Sequence, residues 1–301
     1  MIFKPMATPA LKLHRDVAPP ATAGTATVPE VTLPLPGSEE HILSALSRNS
    51  LTNVIMEGFI RDNGFISPQN RGRFYACRDE KNSVEGVALI GHTILFEAFS
   101  DRAIQSFAAL ARRDSTHHLL MGEHNAVERF WSYYSKKDQS PRLICPILFL
   151  ERQEPFAEQS EVSGLRTATR EDLEHVVQAQ ATMAFEISGV DPLKKDPAGF
   201  RERYLRRIEK QRVWVLIENG QLVFKTDIIA DTPQANYIEG VYVRPEDRGK
   251  GLGRRCLAGL GRILLKRTRA LYLFVENESK QTSFYLNLGF KVAGQYDLLY
   301  F

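Results

Sequence analysis

The sequence predicts an α/β (α+β) chain made of two similar halves, and three observations carry that prediction. Helical and strand periodicities alternate through both halves in nearly the same order. The stretch "VWVLIENGQLVFKTDIIAD" sets an Asn-Gly pair, Asn219–Gly220, between two apolar runs, which is a strong hairpin signal. A polar, aperiodic stretch with one proline, "ERQEPFAEQSEVSG", separates the halves. A length of 301 residues fits two domains at roughly 150 each. Residues 1–37, rich in Pro, Ala, Thr and Gly, are expected to be a flexible extension. The first domain is expected over 38–150, a linker over 151–163 and the second domain over 164–301.

In the second half, "TREDLEHVVQAQATMAF" opens with Thr169 and acidic residues and places Leu173, Val176, Val177 and Met183 at helical spacing. A second helix follows in "DPAGFRERYLRRIEKQ", then the hairpin, then a third strand, "ANYIEGVYV". "GLGRRCLAGLGRILLKR" is a helix with Leu252, Cys256, Leu257, Leu260 and Leu264 on one side. A strand "ALYLFV", a helix "SKQTSFYLNL" stopped at Gly289, and closing strands complete the half. The first half repeats the order more faintly. "EEHILSALSRNSLTNVIMEGFI" reads as helix, three strands run to Phe99, and a helix, strand, helix and strand follow. "SDRAIQ" echoes "EDRGKG", and an Asn and a Tyr eight residues apart recur at 125/133 and 277/285, which favours a duplication.

Composition narrows the function classes. A net charge of +3 disfavours a dedicated nucleic-acid binder. The three cysteines are scattered, with no CxxC pair and no Cys/His cluster, so buried inert thiols are expected and neither a disulfide framework nor a metal site is implied. No apolar run is long enough to span a bilayer, and the first residues lack a signal-peptide pattern. A cytoplasmic protein without membrane partners is the expectation.

The chemistry concentrates in "VYVRPEDRGKGLG", a strand followed by Arg-Pro and three glycines at alternate positions. It is neither a Walker loop nor a GxGxxG fingerprint, since Arg254 or Cys256 stands where the last glycine would be. A helix entrance offers unpaired amides and partial positive charge to an anion, and glycines let the backbone approach it closely. Each amide bonding a charged oxygen contributes about 1.5–3 kcal/mol, more than the dipole's 0.3–1. A plain turn is the alternative, and the Arg, the Pro and the three glycines together outweigh it.

"VRPEDRGKGLGRRCL" resembles the Q/R-x-x-G-x-G/A signature of the GCN5-related N-acetyltransferases (GNAT), and "SFYLNLGF" resembles their aromatic-Tyr-x-x-x-Gly-Phe ending. The resemblance covers about Gly164 to Phe301, and the first half resembles a degenerate copy, as in tandem members. It implies two GNAT-like domains, each a mixed, mostly antiparallel sheet flanked by helices, with acetyl-coenzyme A as co-substrate and no metal. It implies further that Arg248 opens a cradle in which the amides of Gly249, Lys250, Gly251, Leu252, Gly253 and Arg254 hold the pyrophosphate. The splayed strand, with Val241, Tyr242 and Val243, then lies along the thioester, and Tyr285 protonates the departing thiolate. Many members carry an asparagine seven residues before this tyrosine. Here Glu278 holds that position and Asn277 stands one earlier, so Asn277 is carried as a cofactor contact, with Ser279 as a helix cap the competing reading.

An alkyl amine acceptor is almost wholly protonated at pH 7, and freeing it costs about 4.6 kcal/mol. A base is therefore the larger requirement, and Glu239 is the candidate, on the strand that would carry the thioester. Strand alternation puts Tyr237, Glu239 and Val241 on one face. A salt bridge from Glu239 to an arginine of a neighbouring helix is the equal alternative. Glu186 and Asp191 stand where the family admits the acceptor, against a solvated-loop reading.

The first half has no glycines in "SDRAIQSF", so no coenzyme A is expected there. The aromatics of "RFWSYY" are expected in the core or at a domain interface rather than stacked on a ligand, and His117 and His118 as ordinary strand histidines. The function expected is acetyl transfer to a small-molecule or peptide primary amine by direct attack in a ternary complex. The alternative is a non-catalytic acyl-coenzyme A-binding regulatory module. Aminoacyl transfer from tRNA ranks last, having no use for a pyrophosphate cradle.

Overall fold

The computed structural model describes residues 31–34, 37–113, 117–136, 139–157, 162–277 and 279–301. It divides into two compact units. Within the described residues, one holds 31–148 together with 294–301, and the other holds 149–293.

The first unit begins with β1 (Val31–Thr32), α1 (Glu39–Ser47) and α2 (Ser50–Asn63). It continues through β2 (Gly72–Arg78), β3 (Val84–Gly91), β4 (Thr93–Ala98), α3 (Asp101–Ala111), β5 (Leu119–Glu123) and α4 (His124–Tyr134). β1 to β4 pair antiparallel in sequence order, and β4 pairs parallel with β5. Strand β1 lies inside the segment expected to be a flexible extension. Val31 and Thr32 pair with Cys77 and Ala76, because two β-branched residues satisfy an edge that the surrounding prolines cannot. The rest of that segment, 1–30 and 35–36, lies outside the described residues. The helix expected from Glu39 to Ile60 is two helices. Asn49 leaves helical geometry at φ −133° and ψ 69°, and the buried Asn53 amide donates to Leu46 O and Asn49 O, both at 2.9 Å, which holds the break. The core packs Phe107, Ile104, Phe130 and Trp131 of the helices on Ala88, Ile94 and Leu120 of the sheet.

The chain leaves the first unit within β6 (Leu143–Arg152). The second unit then runs β7 (Arg166–Thr167), α5 (Leu173–Ser188), α6 (Pro192–Lys195) and α7 (Pro197–Glu209). After these come β8 (Val213–Glu218), β9 (Gln221–Asp231), β10 (Ala235–Val243), α8 (Leu252–Leu264), β11 (Ala270–Glu276) and α9 (Lys280–Leu286). β7 to β10 pair antiparallel, and β10 pairs parallel with β11. The hairpin turn has φ of +50° at Asn219 and +73° at Gly220, the double left-handed geometry that an Asn-Gly pair accommodates. Val176, Val177, Phe200, Tyr204 and Ile208 of α5 and α7 pack on Val213, Val215 and Leu222. α8 buries Leu252, Cys256, Leu257, Leu260 and Leu264, the side that the sequence predicts. The last strand, β12 (Lys291–Tyr300), starts in this unit, and from Gly294 onward it belongs to the first, where Tyr296–Tyr300 pairs antiparallel with Leu119–Glu123. Each unit is thus a mixed, mostly antiparallel sheet flanked by helices.

Candidate active site

β10 organises the site. One edge stays paired with β9 as far as Val243. The other edge pairs with β11 only at Ala235–Ala270, Asn236–Leu271 and Tyr237–Tyr272. Beyond those residues no pair joins the two parallel strands among the described residues, so their pairing ends at Tyr237. The ladder with β9 then changes phase. Glu239 faces Asp227 while Tyr242 faces Lys225, so three steps on β10 match two on β9. Gly240 absorbs the extra residue at φ +65°, where a Cβ would stand 2.9 Å from Lys225 Nζ and 3.2 Å from Asp227 Oδ2. This bulge overturns the simple alternation of Tyr237, Glu239 and Val241, because the inserted residue moves Val241 out of phase with the other two.

After Val243 a short 3₁₀ turn, Pro245–Asp247, leads to an extended Arg248. Gly249 and Gly251 follow at φ +76° and +75°, and nothing lies within 4 Å of a Cβ built on either. These two glycines serve the backbone angle and leave the approach open. Gly253 serves packing instead, since its Cβ would meet Val243 Cγ2 at 3.0 Å. Gly251 is the residue before α8, and no side chain caps it. The first helical bond runs from Arg255 N–H to Gly251 O at 3.1 Å, so the amides of Leu252, Gly253 and Arg254 precede any i−4 acceptor. The loop is braced from within. Arg244 Nε meets Asp247 Oδ2 at 2.6 Å, Arg248 Nε donates to Val243 O at 3.0 Å, and Lys250 Nζ stands 3.4 Å from Asp247 Oδ1. Arg248 thus shapes the turn, while Lys250 and Arg254 are exposed beside it.

Tyr285 stands on α9. Ser279 caps that helix, its Oγ accepting from Thr282 N–H at 3.1 Å, as the capping reading expects. The Tyr285 ring stands edge-on to Phe284 and Phe290, and burial pushes its phenol well above the ordinary range. Tyr237 is 2% exposed, packs edge-on to Phe274 and is likewise raised by burial, with Glu239 and Tyr285 acting on it in the same direction. For Glu239, burial raises the proton affinity, whereas Arg207 and Lys225 lower it. Arg207 on α7 thus acts on Glu239 electrostatically, while its ion pair is with Asp227.

Beneath the bulge lies a charged cluster that the sequence reading passes over. Lys225, 0% exposed, donates to Asp227 Oδ2 at 2.7 Å and Gln180 Oε1 at 2.5 Å, and its Nζ stands 5.3 Å from the centre of the Tyr204 ring. Arg207 reaches Asp227 at 3.3 Å and the Tyr204 hydroxyl at 3.2 Å. Burial lowers the Lys225 ammonium and raises the Tyr204 phenol. The available signal was "FKTDI", where two charges two residues apart share one face of an otherwise apolar strand.

The remaining candidates are scattered. Glu186 is exposed at the end of α5, near enough to influence Tyr242. Asp191 caps α6, its Oδ1 accepting from Leu193 N–H at 2.9 Å. Asn277 is exposed in the turn after β11, and Glu278 lies outside the described residues. Among the described residues no group of three or more His, Cys, Asp or Glu is placed to hold a metal, and no helix is long and apolar enough to cross a membrane.

Comparison with known proteins agrees with this geometry. Residues 209–292 match the family model of the acetyltransferase (GNAT) domain. No curated protein matches the sequence. Among solved structures, the chain is similar to a GCN5-related N-acetyltransferase from Sphaerobacter thermophilus at 14% identity and TM-score 0.60, over 92% of this chain and 96% of that one. A tandem GNAT protein from the clavulanic acid biosynthesis pathway aligns at 17% identity and TM-score 0.57, over 90% and 98%. A GNAT-family acetyltransferase from Colwellia psychrerythraea aligns at 13% and 0.55, over 90% and 99%. At these identities the structures speak for the fold. The open helix entrance, the splayed parallel pair and the family match identify residues 209–292 as a GNAT acetyltransferase domain.

Proposed function

We propose that the second unit is an acetyl-coenzyme A-dependent N-acetyltransferase that acts on a primary amine by direct attack. The observation that carries this reading is the uncapped entrance of α8, set beside strands that part at Tyr237. The amides from Gly249 to Arg254 bind the diphosphate, and Arg248 holds the turn through Val243 O. Val241, Tyr242 and Val243 line one wall of the slot in which the pantetheine arm pairs with exposed main chain. Bound there, acetyl-coenzyme A supplies an activated acetyl group on a thiol that leaves with an ordinary pKa of about 8.5.

Glu239, directly or through one water, accepts the proton that frees the amine, offsetting the cost of about 4.6 kcal/mol at neutral pH. Tyr285, kept protonated by burial, donates to the departing sulfur. The acceptor approaches past Glu186 and the loop that holds Asp191. A coenzyme-release assay against a panel of primary amines tests the reading. Release that requires Glu239 supports it. Acetyl-coenzyme A binding without release for any amine instead leaves a regulatory binding module.

A further inference from the structure

The turn that follows Tyr285 is fastened by an arginine 136 positions before the carbonyl it bonds. Arg152 ends β6, inside the second unit. Its Nη1 donates to Leu288 O at 2.7 Å, and its Nη2 donates to Pro155 O at 2.8 Å. Gly289, next to the first of these carbonyls, has φ +83°, and a Cβ built on it would stand 1.8 Å from Arg152 Nη1. The glycine therefore gives the turn its backbone angle and the guanidinium its seat. Tyr285 belongs to the same turn, because its carbonyl accepts from the amides of Leu288 at 3.0 Å and Phe290 at 3.1 Å.

A second connection runs through aromatic rings. Arg152 Cζ lies 4.0 Å from the centre of the Phe156 ring. Phe156 stands edge-on to Phe290 at 6.4 Å, and Phe290 stands edge-on to Tyr285 at 5.9 Å. The Phe156 ring also fills the space beside Gly261 of α8, where a Cβ would come within 2.1 Å of it. Phe156 thus rests on the helix whose entrance is uncapped, and Arg152 joins it to the helix that carries Tyr285. Glu154, between the two in the chain, pairs with Lys291 just beyond Phe290. Burial works against the charge of Arg152, and its Nε has no hydrogen-bond partner among the described residues. Both of its bonds go to main-chain carbonyls, so the guanidinium fixes backbone geometry.

We propose that Arg152 is a positioning residue for Tyr285: together with Phe156 it sets where the phenol stands relative to the departing sulfur. This rests on the reading of Tyr285 as the donor to that sulfur. A group that acts only through Tyr285 can cost no more than Tyr285 itself, and a displacement of about 1 Å is enough to lose most of that contribution.

Two measurements on the full chain test it. Tyrosine-ring NMR of the free protein reads the placement without any catalysis, the Tyr285 signal being assigned by its loss in Tyr285→Phe. In Arg152→Met that signal should shift and broaden. Coenzyme release from acetyl-coenzyme A, with the panel amine that gives the fastest release, reads the consequence. Arg152→Met should lower kcat by about tenfold, change KM for acetyl-coenzyme A by less than about twofold, and cost nothing further when added to Tyr285→Phe. Arg152→Lys, whose ammonium still reaches one carbonyl, should recover part of the loss. An unmoved Tyr285 signal, or losses that multiply in the double variant, would overturn the proposal. If no amine gives release, the acetyltransferase reading fails instead, and the NMR signal still decides whether Arg152 places the ring. Circular dichroism checks folding. Should Arg152→Met not fold, Phe156→Leu, which removes the ring between Arg152 and Phe290, takes its place with the same expectations.

Discussion

At the scale of single residues, groups that act on protons differ from groups that hold them in place. Because burial raises the Tyr285 phenol, it stays protonated beyond the ordinary value of about 10. The activity should therefore show no descending limb below about pH 10 from this group, and Tyr285→Phe should lower kcat by about 10²-fold. A pH–rate series on both proteins checks this. Glu239→Gln should cost more and remove the ascending limb. Lys225 and Asp227 are buried partners, so Lys225→Met, which leaves Asp227 with Arg207 alone, should destabilise the second unit by about 1–3 kcal/mol in denaturant unfolding. Burial raises the thiols of Cys77 to about 11 and Cys256 to about 12, whereas Cys145 is only half-buried. A thiol reagent should label Cys145 first. The glycines of the helix entrance were legible, because the backbone angles at Gly249 and Gly251 favour that residue type. The Lys225–Asp227–Arg207 cluster was not, since its members come from β9 and α7 and meet only through folding.

At the scale of elements, the decisive feature is how β10 ends. Sequence periodicity marks the strand and the helix after it, but it cannot show where the parallel pairing with β11 stops. Gly240 inside "IEGVYV" was the available sign of a bulge, since a glycine within a strand often marks one. Gly240→Ala puts a Cβ 2.9 Å from Lys225 Nζ at a positive φ and should disturb the thioester wall. The expected outcome is a fall in kcat with little change in affinity for coenzyme A, measured by steady-state kinetics beside titration. Gly251→Val tests the neighbouring element with the opposite split. A β-branched residue at φ +75° is strained, so the helix entrance shifts and coenzyme A binding weakens. The break at Asn49 has the same lesson, because helical periodicity runs through it and only the buried Asn53 amide reveals it.

At the scale of the whole molecule, the chain's last strand begins in the second unit and from Gly294 onward belongs to the first. Tyr296–Tyr300 pairs with β5, and Asp297 accepts from His124 Nδ1 at 2.8 Å. The element order was legible from the sequence, but this shared strand was not, because two apolar closing strands fit either half. The hydrogen bond to Asp297 raises the His124 imidazole above its ordinary value of 6.5. Its contribution is therefore fully present below that ordinary value and is lost as pH rises through the raised one. His124→Gln should cost the first unit about 0.2–1 kcal/mol at low pH, fading at alkaline pH, in thermal melts across that range. The central claim, that open amides at the start of α8 grip a diphosphate, is tested most directly by titrating the protein with coenzyme A and with pantetheine, which lacks the phosphates. The account predicts that coenzyme A binds at least about 10²-fold tighter, as two charge-assisted amide bonds require, and that Gly251→Val erases most of the difference. Equal affinities for the two ligands in the wild-type protein would contradict it.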